Sequence, residues 1–233
     1  NTTFMAPILQ RATPGVKRAP SPRQTRDHLS KSTKNRHSFG KPVRRETLRQ
    51  PVAGFVCFGE VNTPLELIEE KRSQAEQWLN QAEVDLVSAG VVTDDPEGAQ
   101  ADAAVAALSA QSFDFLVICI AGWIPSWAVI KVAAAFAHHP MLLWGLSGRT
   151  VNGHLVSTAD QAGTTALRKV LADLSYSFKY VYHVPDGEPS VSSISSFARA
   201  ARTASLLRRA TVGMMGYRDM RLYGTMFDGA RLK

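Results

Sequence analysis

Three groups of residues in this chain carry side chains suited to binding chemistry at spacings that let them share a ligand. Glu60 and Asn62 place a carboxylate and an amide two residues apart in Gly59-Glu60-Val61-Asn62, a pairing that suits hydrogen bonding to a hydroxyl-rich molecule. Equally, Asn62 would help cap a following helix and Glu60 would be a solvated loop charge. Ala121-Gly122-Trp123-Ile124-Pro125-Ser126-Trp127 offers tryptophan, whose flat apolar face packs on a sugar ring or an apolar chain while its indole N–H donates to a hydroxyl. Trp123 is taken as the site residue and Trp127 as part of the core. The densest polar cluster is Met214-Met215-Gly216-Tyr217-Arg218-Asp219-Met220, where Tyr217, Arg218 and Asp219 bind a polar ligand, or Arg218 and Asp219 pair with each other.

Several common chemistries lack their patterns. Gly145-Leu146-Ser147-Gly148-Arg149 does not have the G-x-S-x-G spacing of a nucleophile elbow. No H-x-x-x-H, G-x-G-x-x-G or Walker A sequence occurs, so zinc protease, dinucleotide oxidoreductase and P-loop NTPase are poorly supported. The adjacent His138 and His139 would diverge by ~100° on a helix and could not chelate together.

The elements that position these residues alternate between strand-like and helix-like segments from Pro51 onward. Short apolar runs at Val52–Phe58, Val84–Ala89, Phe113–Ile120, Met141–Gly145, Phe178–Val184 and Thr211–Met215 read as strands. Helical stretches run between them. Thr63-Pro64-Leu65-Glu66 has the form of a capping box with proline in the first turn, and predicts a helix to about Gln81 with Leu67, Ile68, Ala75, Trp78 and Leu79 inward. Asp95-Pro96-Glu97 opens a second helix by the same logic. Further helices are expected over Ser126–His138, Thr158–Leu174 and Ser190–Arg209, with a polar loop over Leu146–Ser157. Strands separated in this way form βαβ units, so the expected fold class is α/β: a doubly wound parallel sheet in three layers, flavodoxin-like or Rossmann-like. Sites in such sheets lie beyond the carboxyl ends of the strands, which selects the loops after Phe58, Ile120, Gly145 and Met215.

Charge is unevenly distributed. The chain of 233 residues carries a formal +7, yet residues 1–50 hold 12 basic and two acidic residues, leaving −3 for the remainder. The basic balance therefore does not argue that the folded part binds nucleic acid or an anionic membrane. Residues 1–50, rich in Arg, Lys, Ser, Thr and Pro, are expected to be a disordered basic tail, read as a solvated or upstream extension, an organelle transit peptide, or a nucleic-acid-binding arm. The arm reading expects salt-sensitive binding that vanishes when the tail is removed. Cys57 and Cys119 lie inside apolar runs without metal-ligand spacing and read as reduced core residues of an intracellular protein. The apolar window Phe115–Ala137 is interrupted by Gly122, Pro125, Ser126 and Lys131, and reads as strand, loop and buried helix rather than a membrane span. The first residue, Asn1, and the stop at Lys233 soon after a strand-like segment lead us to expect a fragment or processed chain.

Taken together, Gly54-Phe55-Val56-Cys57-Phe58-Gly59-Glu60-Val61-Asn62-Thr63-Pro64, the Trp123 loop and Gly213–Met220 resemble the L-fucose isomerase and L-arabinose isomerase superfamily. The similarity spans roughly Val52 to Lys233, in that family the first domain and the start of the second. It implies an N-terminal α/β domain over 51–209 and the start of a truncated second α/β domain over 210–233. It also implies a ketol isomerase that interconverts an aldose and a ketose through an ene-diol with a divalent metal, usually Mn²⁺. The family's metal ligands, two carboxylates and a histidine, come from later segments, so neither a catalytic nor a metal residue is assigned within this chain. The resemblance further implies a monosaccharide substrate and a cytoplasmic homo-oligomer, or an organellar one if residues 1–50 are a transit peptide. In that family the first domain reaches into a neighbouring subunit's active site, where an aromatic after the third strand packs on the sugar; Trp123 stands at the matching place. Gly216-Tyr217-Arg218-Asp219-Met220-Arg221 is similar to the R-F-G-D-N-M-R segment of arabinose isomerases, with its Asn replaced. The competing class is a non-catalytic sugar-binding or regulatory module on the same kind of sheet.

Overall fold

A computed structural model describes residues 49–184 and 187–211. The chain divides into two units, Asn1–Arg45 and Glu46–Lys233, and every described residue belongs to the second. Of the expected tail over residues 1–50, residues 1–48 lie outside the described residues; so do residues 212–233 of the expected strand Thr211–Met215 and second-domain start over 210–233, with Tyr217, Arg218 and Asp219 among them.

Parallel pairing organises the domain. Strands β1 (Val52–Phe58), β2 (Asp85–Val92), β3 (Phe115–Ile120), β4 (Met141–Leu146) and β7 (Phe178–His183) form a five-stranded sheet in the order β2-β1-β3-β4-β7. Each neighbouring pair is parallel. Every residue of β3 and β4 is buried, whereas the edge strands β2 and β7 are only partly so. That explains why β3 reads as an uninterrupted apolar run: a central strand covered on both faces has no polar side.

Alternate residues along each strand feed two cores. On one face Phe55, Cys57, Phe115, Val117, Cys119 and Trp144 pack with α1 (Leu65–Gln81) and α5 (Val191–Arg209). On the other, Val56, Phe58, Leu116, Ile118 and Leu143 pack with α2 (Ala99–Ser109), α3 (Ser126–Ala135) and α4 (Asp160–Asp173). The sheet is thus doubly wound, with the strand order of a flavodoxin-like domain. Both cysteines are free and buried, facing each other in register across β1 and β3.

Local expectations are corrected at four places. The capping box at Thr63 does not form: α1 begins at Leu65 with Pro64 as its cap residue and no side-chain cap. The Thr63 N–H is instead turned back to donate to the Glu60 carbonyl at 2.9 Å. Helix α2 begins only at Ala99, because Gly98 closes a turn onto the Asp95 carbonyl first. Asp95 still serves the helix, accepting from the Ala99 N–H at 2.6 Å. Helix α3 stops at Ala135 rather than at His138, and Pro140 follows, which disfavours helical backbone at the residue before it. The polar loop after β4 contains a hairpin, β5 (Arg149–Val151) paired antiparallel with β6 (His154–Val156). Its two-residue turn, Asn152-Gly153, has φ of 52° and 78°, the left-handed geometry of a tight hairpin turn.

Candidate functional site

The order of the strands makes β1 and β3 neighbours whose following helices lie on opposite faces of the sheet. Such a reversal opens a crevice at the carboxyl ends. The loop after β1 and the loop after β3 meet there: the Ala121 N–H donates to the Phe58 carbonyl at 2.9 Å, and the Trp123 N–H donates to the Thr158 carbonyl at 2.7 Å. Gly122 occupies the crossing point. A Cβ on it would lie 3.4 Å from Thr63 Oγ1 and 3.6 Å from both the Gly59 Cα and the Thr158 Cβ, so the loops approach one another through this glycine.

Glu60, Asn62 and Trp123 therefore sit on adjoining loops at the strand-order reversal. Asn62 Nδ2 donates to Glu60 Oε1 at 3.3 Å, so the amide engages its neighbouring carboxylate. The backbone beside them is held by Asp94, which accepts from the Val61 N–H at 2.8 Å. Trp123 is 39% exposed and free to offer its ring. Trp127, expected in the core, is 45% exposed: it lies in the first turn of α3, whose buried residues are Ala128, Val129, Val132 and Ala133, and its ring stands beside Gly98 at the start of α2.

Beneath the loops lies a polar centre that the sequence did not single out. Lys71 projects from α1, and its ammonium donates at 2.8 Å to the carbonyl of Ala121 after β3, the carbonyl of Leu146 at the end of β4, and Thr158 Oγ1. Asp160 Oδ1 stands 3.6 Å away, fully buried at the start of α4, and Tyr182 Oη of β7 donates to Asp160 Oδ2 at 3.3 Å. Burial pushes the Lys71 ammonium below its ordinary range and the Asp160 carboxyl above its own, each opposed by the charge of the other. Burial, together with the Asp160 charge, raises the Tyr182 phenol to about 12. With three donors facing three oxygens, Lys71 is saturated. It acts as a clamp between strand ends rather than a nucleophile.

Next to this clamp, between α1 and the β5–β6 hairpin, is a cavity of about 310 Å³. Its wall includes Glu70, Gln74 and Trp78 of α1, Ser147 and Arg149 after β4, and His183 at the end of β7. Arg149 Nη1 bonds both oxygens of Glu70 at 3.1 Å and so ties the hairpin to the helix.

The signal for Lys71 was available: it falls on the inner stripe of α1 between Ile68 and Ala75, where a charged residue needs buried partners. Those partners come from three distant segments, and no local spacing reveals them. Among the described residues no group of three His, Cys, Asp or Glu side chains forms a metal-binding set, and Glu60 is a single carboxylate already bonded to Asn62. The described residues thus do not fit a resident Mn²⁺.

No protein-family model matches the chain, and no curated protein does. Fold and site define it as a doubly wound parallel α/β domain whose candidate site lies at the carboxyl edge of the sheet, where β1 and β3 diverge. None of the described helices is long and apolar enough to cross a membrane.

Proposed function

We propose that this chain is the N-terminal part of a metal-dependent aldose–ketose isomerase of the L-fucose and L-arabinose isomerase type. In this reading it contributes substrate-packing and oligomer-interface surfaces, and the proton transfer between C1 and C2 is carried out by segments beyond Lys233. The observation that carries the reading is the half-exposed Trp123 at the strand-order reversal, with Glu60 and Asn62 on the adjoining loop. An aromatic face flanked by a carboxylate and an amide suits a sugar ring and its hydroxyls. Exposed apolar residues on the same edge, Val61, Leu65 and Trp127, favour burial against a neighbouring subunit. Mn²⁺, its ligands and a cytoplasmic or organellar location belong to the same proposal and rest on the family resemblance.

The test is an assay of the full-length protein for interconversion of L-fucose with L-fuculose and of L-arabinose with L-ribulose in the presence of Mn²⁺. Turnover of either sugar is the expected result, and this chain alone should show none. Failure with both sugars contradicts the isomerase reading, and turnover by this chain alone contradicts the division of labour. A non-catalytic sugar-binding module is the second reading, favoured by the cavity between α1 and the β5–β6 hairpin within this domain. Sugar binding by a full-length protein that never turns sugar over would establish it.

A further inference from the structure

The cavity between α1 and the hairpin has no part in the isomerase reading, which rests on Glu60, Asn62 and Trp123; an inference drawn from it rests on the sugar-binding reading instead. Among the described residues its charges are matched in pairs. Arg149 faces Glu70 at 3.1 Å and Lys71 faces Asp160 at 3.6 Å, so the described side chains around the space balance in charge. A charged ligand would meet a like charge from one member of each pair, whereas an uncharged one would not. Around the balanced charges stand groups with hydrogen-bonding capacity to spare. The exposed Gln74 amide makes no hydrogen bond among the described residues, the Glu70 carboxylate keeps free lone pairs, and the Arg149 guanidinium keeps free N–H groups. Deeper in, His183 is 9% exposed, its Nδ1 has no partner among the described residues, and its ring lies 4.4 Å from that of Trp78.

We propose that this cavity binds a small uncharged polyol of monosaccharide size, held between the Trp78–His183 wall and the Glu70, Gln74 and Arg149 rim. At about 310 Å³ it lies at the lower end of the range for small-molecule pockets, which sets the ligand size. Carboxylate, carboxamide and guanidinium together offer acceptors and donors side by side, as vicinal hydroxyls require, while the aromatic wall takes the apolar C–H face of the ligand. The site adjoins the loop after β3 through Lys71 and Thr158, but Trp123 is not part of its wall.

Calorimetric titration of the 233-residue chain with D-glucose, L-fucose, D-sorbitol and D-glucose 6-phosphate tests this. Saturable binding of an uncharged probe is expected, at least tenfold tighter than for the phosphate ester, with the sugars and the sugar alcohol separating a ring from an open-chain ligand. Gln74→Ala and Arg149→Ala, both at exposed side chains, should each weaken it tenfold or more without shifting the melting temperature. No saturation with any uncharged probe, or tighter binding of the phosphate, overturns the proposal. So does binding lost in Trp123→Ala but kept in Gln74→Ala and Arg149→Ala, a result that would place the sugar on the loop after β3 and leave the isomerase reading standing.

Discussion

Lys71 occupies a position on α1 where its neighbours along the inner stripe, Ile68 and Ala75, are buried and apolar. It is tolerated because two carbonyls, a hydroxyl and a carboxylate converge on its ammonium. Replacing it by Met leaves Asp160 buried without its counter-charge, and breaking a buried pair in this way costs about 3–5 kcal/mol. Urea denaturation of Lys71→Met should show a loss of that order. Adding Asp160→Asn should recover only part, since the Leu146 carbonyl loses its Lys71 donor while the Ala121 carbonyl keeps only the Thr158 hydroxyl. Tyr182 adds a pH dependence. With its phenol raised from 10.0 to about 12, the unfolded chain releases this proton across that interval while the folded chain keeps it. Stability therefore falls as pH rises from about 10 to about 12, and Tyr182→Phe should flatten the decline when urea midpoints are compared. Glu60, Asn62 and Trp123 were visible in the sequence because they fall in short strand-end loops. The Lys71 centre was not, because its partners lie 50, 75 and 87 residues further along the chain.

At the scale of elements, strand positions were legible because burial on both faces leaves β3 and β4 continuously apolar, a pattern that no amphipathic helix produces. Helix starts were less so. Thr63 has the composition of a cap, yet the turn made by its own N–H onto Glu60 moves the start of α1 to the residue after Pro64. The β5–β6 hairpin was missed although Asn152-Gly153 is a strong hairpin signal, because three-residue strands of exposed side chains carry no alternation. This hairpin stands apart from both cores, held to α1 through the exposed Arg149–Glu70 pair. Replacing Asn152-Gly153 by Ala-Ala forces two alanines into left-handed backbone at roughly 1–2 kcal/mol each. Hydrogen exchange should then speed up over 149–156 while protection in β3 and β4 stays unchanged.

For the molecule as a whole, composition and the βαβ rhythm together led to a doubly wound parallel sheet, and the order β2-β1-β3-β4-β7 places the divergence of β1 and β3 at its carboxyl edge. The central claim is that this edge presents Trp123 to a sugar during aldose–ketose isomerisation. The most direct measurement is steady-state kinetics of the full-length protein and its Trp123→Ala variant with L-fucose or L-arabinose in the presence of Mn²⁺. Loss of the packing face should raise KM at least tenfold, equivalent to about 1.4 kcal/mol of binding, while the Mn²⁺ concentration giving half activation stays the same. An unchanged KM in the variant would contradict the claim.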